Sequence, residues 1–311
     1  MTLGRPGAGT LVGKPGERIV VGRALACAGL QSRWFAWRTK VRRRLKPAPH
    51  NTALFEAVAV PFLLALLPAI SYAQSPSDSP EPEIATDRPA ITDSSIVVPK
   101  ESLQLENGLT WTSDHGRQTI DLSETLMRFG LSTRTEIRIV VPNYFVGLSH
   151  SSSGFGDLAL GVKQQIGPLS GGFDLSVVAA ISLPTGADRI SSHGFDPFLQ
   201  FPWSKDLRAG WSIGGMQSVF WYTENTRRNL TWEPTLYIQK EIMKRWDVFG
   251  EYAGDFPQWD GSRQIAHFGT VYGITPKQQV DFHFGFGLSH AAPGHFLAVG
   301  YSFRVDKLSG H

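Results

Sequence analysis

The sequence predicts an all-β fold: a transmembrane, antiparallel up-and-down β-barrel of about 12 strands. Three observations carry that prediction. The first is an unbroken alternation near the C-terminus. Val280, Phe282, Phe284, Phe286 and Leu288 take one side, and Gln279, Asp281, His283, Gly285, Gly287 and Ser289 take the other. The second is that this alternation recurs from Leu103 to Val305, large and apolar on one side, polar or glycine on the other. A soluble barrel keeps its large hydrophobes inside; an outer face against lipid and an inner face against water reverses the assignment. The third is composition. Charged residues are 18% and aromatics 11% of the chain, and a mean hydropathy of −0.13 leaves no room for a bundle of membrane helices.

The elements follow in chain order. Residues 1–73 read as a leader. The apolar stretch Val58–Ile70 is shorter than the about 20 residues of a spanning helix and is broken by Pro61 and Pro68. Arg42, Arg43, Arg44 and Lys46 precede it and Ser71-Tyr72-Ala73 follows, which predicts a secretory signal peptide cleaved after Ala73. The other reading of the same stretch is an N-terminal anchor. The leader holds 11 of the 30 Lys and Arg and 2 of the 27 Asp and Glu, so the mature chain carries a net charge of −6 in place of +3. The basic balance of the full chain therefore indicates no nucleic-acid partner. Cys27, the single cysteine, leaves with the leader, and with it any disulfide or thiol chemistry.

Residues 74–100 read as a periplasmic lead-in, disordered over Gln74–Glu83, which is rich in Ser, Pro and acid. The barrel is expected over 101–305 and a short tail over 306–311. The first strand places Leu103, Leu105, Leu109 and Trp111 on one face, with Gln104, Glu106, Gly108, Thr110 and Thr112 on the other. Further strands are expected near 119–129, 134–142, 155–166, 172–183, 195–206 and 208–222, then near 229–242, 246–255, 263–275, 278–289 and 295–305. About 17 residues per strand and connection give the same total over this span. Trp203, Trp211, Trp221, Tyr222, Trp232, Trp246 and Trp259 fall near strand ends, where a membrane interface collects aromatics. Gly167–Gly171 and Thr275-Pro276-Lys277 read as tight turns; Asn143–Gly154, Thr185–Gly194 and Phe256–Ser262 read as longer loops.

Projecting the alternation inward gives nine candidate lumen or solute-path residues: Glu106, Arg138, Asp157, Lys163, Glu233, Glu251, Asp281, His283 and Arg304. Facing lipid at mid-membrane, a Lys or Arg would cost about 2–4 kcal/mol, which is why these charges are assigned inward. There they pair, plug the lumen or set its field. Two Ser/His clusters, Ser149–Ser153 with His150, and Ser289-His290, are the places where a hydroxyl activated by an imidazole could act on lipid. Sequence adjacency does not supply that geometry, so no catalytic residue is assigned. The nine histidines show no paired ligand spacing for a metal, and no glycine-rich phosphate loop sits between a strand and a helix; no cofactor is expected.

Thr86-Asp87-Arg88-Pro89, Thr92-Asp93-Ser94, Val98-Pro99 and Gln104–Gly108 form an opening that resembles the outer-membrane family named for the meta-pathway of phenol degradation. Gly154–Lys163 (GFGDLALGVK) and Leu183-Pro184-Thr185-Gly186 resemble two further strands of that family. The resemblance spans about 84–305. It departs at Lys100-Glu101-Ser102, where a glycine is expected after Val-Pro. It departs again at the end, where Arg304–His311 follow the aromatic Phe303 that the barrel-assembly machinery would read. The resemblance implies a barrel in the outer membrane of a Gram-negative bacterium, in contact with its lipid and associated with uptake of aromatic compounds. It supplies no catalytic residue. Asp87 and Arg88 are expected at the periplasmic mouth, paired with lumen charges or helping to plug it. The expected function is a channel or transporter for a small, aromatic solute; the alternatives are a Ser/His lipid hydrolase or deacylase, or a closed structural barrel.

Overall fold

The computed structural model describes residues 82–149, 151–224 and 227–308. The expected signal peptide and its cleavage position, residues 74–81 of the lead-in, His150, and the end of the tail lie outside the described residues. The strand segments are β1 (Leu103–Asp114), β2 (Arg117–Leu122), β3 (Leu126–Gly130), β4 (Thr135–Val140) and β5 (Tyr144–Ser149). Next come β6 (Gly154–Phe155), β7 (Leu158–Gln165), β8 (Phe173–Leu183), β9 (Asp196–Asp206) and β10 (Trp211–Glu224). The last five are β11 (Arg227–Met243), β12 (Trp246–Pro257), β13 (Arg263–Thr275), β14 (Gln278–Gly287) and β15 (His295–Val305). They form one antiparallel sheet, closed where β1 pairs with β15 from Leu103↔Val305 to Ser113↔His295.

These segments run as 12 staves, because β2 with β3, β4 with β5, and β6 with β7 each continue one another along the wall. The breaks have a local cause. Thr119 and Asp121 point inward, so simple alternation would send Ser123 in as well; Ser123 instead takes φ 57°, and Glu124, Leu126 and Arg128 turn inward. The inward set shifts again between Val140 and Asn143. A one-residue bulge exchanges the faces of everything after it. Here the resets lie side by side on neighbouring staves, the third where Gly156 and Asp157 are buried in succession between β6 and β7. The chain expected as a loop over Asn143–Gly154 is therefore mostly strand, with β5 paired to both β2 and β6.

The wall has the inverted polarity expected of it. Phe282, Phe284, Phe286, Leu297 and Val299 are exposed on the outside, whereas Gln104, Glu106, Thr110 and Thr112 of β1 are buried. Leu103 pairs with Val305, so the chain enters and leaves the barrel at one rim, termed proximal here. The opposite, distal rim carries the long connection 184–195 between β8 and β9 and the connection 288–294 between β14 and β15. Trp211, Trp232, Trp246 and Trp259 are exposed near strand ends; Tyr222, expected with them, points inward and is buried.

Candidate functional site

The lumen contains a piece of the chain itself. Asp87, Arg88, Ile91, Thr92, Asp93, Ser95, Val97 and Val98 are all buried, and they contact the inner wall around its circumference. The part of the expected lead-in over Ala85–Val98 lies inside the barrel, entering and returning at the proximal side. The segment forms neither helix nor strand, so its backbone N–H groups need acceptors from elsewhere. Wall carboxylates supply them. Glu106 Oε2 accepts from the N–H of Asp87 at 2.8 Å and of Arg88 at 3.0 Å. Glu251 accepts from the N–H of Ile91 at 2.7 Å and of Thr92 at 2.8 Å, and from the Thr92 hydroxyl at 2.7 Å. Glu136 Oε2 accepts from Val98 N–H at 2.8 Å. Ser95 reaches Ser204 on β9, and Thr92 reaches Thr235 on β11.

Side-chain charges are matched just as closely. Asp87 sits among three cations: Arg138 at 2.6 Å, Lys163 at 3.0 Å and Arg128 at 3.3 Å. Arg128 also donates to both oxygens of Glu136 at 2.8 and 2.9 Å and to Glu106 at 3.0 Å. Arg138 holds Asp93 at 2.9 Å. Buried charges persist only when paired and hydrogen-bonded, and this cluster meets that condition through residues from both the wall and the segment.

Arg88 is seated deeper than the mouth position expected for it. Its guanidinium pairs with Glu124 and with Asp281 and donates to the carbonyl of Val299. Room for it comes from Gly108 and Gly300, which pair directly across β1 and β15 near mid-strand. A Cβ on Gly108 would lie 2.3 Å from Arg88 Cζ, and one on Gly300 would lie 2.5 Å from Arg88 Nε.

All nine residues projected inward from the sequence are buried, but they serve different places. Glu106, Arg138, Lys163, Glu251, Asp281 and His283 meet the inner segment or its partners. Asp157 does not: it accepts from the N–H of Gly186 at 2.8 Å and of Ser192 at 3.0 Å, tying down the distal connection 184–195. Glu233 accepts from the Tyr222 hydroxyl at 3.1 Å. Arg304 occupies the proximal mouth expected for Asp87 and Arg88, donating to the carbonyls of Pro82 and Glu83 where the chain enters. It also holds Asp306 at 2.7 Å.

The distal inner wall keeps buried polar groups (Thr112, Asp121, Asp157, Asp196, Glu233, Asp255, Arg263), but an apolar cluster that alternation did not suggest lies among them. Leu126, Val140, Phe198, Phe220, Tyr222 and Phe296 belong to one buried apolar cluster that also takes in Ile91 of the inner segment. Phe198 stacks on Phe220 at 5.0 Å, and Phe220 on Tyr222 at 4.9 Å, forming an aromatic ladder across β9 and β10. Arg128, Glu136, Glu124 and His267 also escaped the inward list. Glu136 shares the parity of Arg138 and could have been found from it; Glu124 lies just past a bulge, where parity fails.

The Ser/His clusters show no activated hydroxyl among the described residues. Ser289 Oγ donates to the Ser262 carbonyl at 2.9 Å, and the His290 ring stands edge-on to His115 at 5.6 Å. His150 lies outside the described residues.

Among solved structures, the COG4313 outer membrane channel from Pseudomonas putida F1 is similar in fold. It has a TM-score of 0.52 and 14% identity, over 74% of this chain and 100% of that one. The NanC porin gives a TM-score of 0.48 and 12% identity, over 65% of this chain and 100% of that one. No curated protein matches the sequence. Residues 86–305 match the family described as "Putative MetA-pathway of phenol degradation", a span that begins inside the inner segment and ends with the last strand. The chain belongs to that family, and its fold is the closed barrel of outer-membrane channels.

Proposed function

We propose that this barrel resides in the outer membrane, against its lipid, as a channel or transporter for a small solute of the monocyclic aromatic class, with Ala85–Val98 as its plug. The observation that carries this reading is the division of the lumen. A charged, ion-paired plug fills the proximal part, and a buried, stacked aromatic ladder lies on β9 and β10 towards the distal end. Aromatic side chains favour offset or edge contacts with another ring, each worth about 0.5–1.5 kcal/mol beyond the area buried. The family and the fold of the similar channel support the same reading.

The test is ion current through the mature chain in a planar bilayer, with phenol as the added probe. Discrete current steps that phenol reduces, and reduces less in Phe220→Ala, are expected. Current insensitive to phenol in both proteins would contradict the aromatic solute. A silent bilayer with a correctly folded barrel would favour the closed structural reading.

A further inference from the structure

Two buried histidines on the inner wall join the two anchors of the plug. His267 on β13 and His283 on β14 are both 0% exposed, and His267 Nε2 lies 2.9 Å from His283 Nδ1. At one end, His267 Nδ1 is 2.9 Å from Glu251 Oε2, the carboxylate that accepts from Ile91 and Thr92. At the other end, His283 Nε2 is 3.3 Å from Arg88 Nη2. Ile91, Thr92 and Arg88 all belong to the plug, so the pair bridges one part of it to another through the wall.

The direction of each bond follows from its ends. Arg88 can only donate, so His283 Nε2 must accept. Ionised Glu251 can only accept, so His267 Nδ1 must carry a proton. That leaves His283 Nδ1 donating to His267 Nε2. Two neutral imidazoles, each protonated on Nδ1, complete the chain. A third proton has one outcome wherever it first binds. If His267 becomes doubly protonated, His283 must accept on Nδ1 and carry its own proton on Nε2. If His283 becomes doubly protonated, Nε2 again carries a proton. In both cases an N–H faces the N–H of Arg88, with a new positive charge beside the guanidinium.

We infer that the His267–His283 pair is a proton-operated clasp, in which uptake of one proton breaks the bond to Arg88 and loosens the plug. This rests on reading Ala85–Val98 as a displaceable plug. The charged and titratable groups around the pair are Glu251 on β12, Asp281 on β14, Arg88 on the plug and Glu124 between β2 and β3, with Tyr237 on β11 and Glu106 on β1 next outward. Asp281, 3.8 Å from His283 Nε2, is placed to receive the new N–H once Arg88 withdraws. An unperturbed imidazole changes charge between about pH 5 and 8.

The test reads the plug itself, so it does not depend on transport. Hydrogen exchange at the Ile91 and Thr92 amides of the folded protein is measured at pH 7.5 and pH 5.0. Each value is expressed as protection relative to intrinsic exchange, with β1 amides as the internal reference. Protection at the two amides is expected to fall at least tenfold at the lower pH while β1 is unchanged, and His283→Gln is expected to abolish the difference. Equal protection at both pH values in the wild type, or the same loss in His283→Gln, would overturn the clasp. Nitrogen-15 shifts of the wild-type rings give a check that needs no variant. Both rings protonated on Nδ1 at pH 7.5 support the chain, and His283 protonated on Nε2 at that pH contradicts it. A barrel that carries no current yet shows the pH-dependent protection would refute the channel reading and leave the clasp standing.

Discussion

The plug network and the aromatic cluster of β9 and β10 are built from the same alternating strands, yet they hold opposite chemistries. In the proximal part each wall carboxylate has a named donor: Glu106 takes two backbone N–H groups of the plug, Glu251 takes two more, and Glu136 takes Arg128 and Val98. In the aromatic cluster Phe198 stacks on Phe220 and Phe220 on Tyr222, and they join Phe296, Leu126 and Val140 within one apolar cluster. A buried polar network must be satisfied bond by bond, so it specifies one partner in one position. An apolar cluster asks only for contact, so it sets no comparable demand on its partner. On the proposed reading, the contrast separates a part that holds its own chain from a part where an aromatic solute would bind.

The largest break in that contrast is expected from Arg128→Ala. It leaves Glu136, Glu106 and Asp87 without their shared cation, and removing one partner of a buried charge cluster costs about 3–5 kcal/mol. A fall in the urea midpoint of the refolded barrel measures it, and an unchanged midpoint would show that the network is solvated. Gly300→Ala comes next. The added methyl would strike Arg88 and Asp281, an overpacking of about 1–3 kcal/mol that is relieved if the plug shifts. Larger or more frequent current steps are expected, with little change in barrel stability.

Phe220→Ala removes two stacked contacts, about 1–3 kcal/mol together. Weaker block by phenol, with ion conductance unaltered, would sharpen the division; loss of conductance instead would blur it. The smallest effect belongs to the proximal mouth. Burial pushes the Asp306 carboxyl up, but hydrogen bonds from Arg304 and Lys277 and the charge of Arg304 outweigh it and hold the group below its ordinary value. A depressed carboxylate stabilises the fold above the unfolded value of about 4 and loses that contribution as pH falls through the folded value. Asp306→Asn should therefore lower the wild-type midpoint by less than about 1 kcal/mol at pH 7, with the difference vanishing at acid pH. A difference that persists after the Asp306 carboxylate is protonated would rule out the ion pair as its source.

Much of this was legible in the sequence, for identifiable reasons. Strict alternation in β14, with Phe282, Phe284 and Phe286 outward, fixed the inside and outside of the wall, and charges that lipid would reject had to face in. The same logic reached Glu106, Lys163, Asp281 and His283. It failed where alternation is reset, as at Ser123 and between Val140 and Asn143, and so Glu124 was missed. It also treated the inner face as uniformly polar, although period-two patterning says only which residues share a face. Phe198, Phe220 and Tyr222 point inward because the lumen has a second apolar surface, and nothing local marks that. The plug was the hardest feature to read. Thr86–Val98 has no helical or strand period, and its place inside the barrel depends on carboxylates that lie far away in the chain.

The measurement closest to the central claim is the single-channel conductance of Arg88→Ala beside that of the wild type, in bilayers of the same composition. Arg88 anchors the plug to Glu124, Asp281 and the β15 backbone, so a plug that closes the lumen predicts small or rare steps in the wild type and larger, more frequent ones in the variant. Identical steps in the two proteins would contradict it, because the segment inside the barrel would then not govern passage through it.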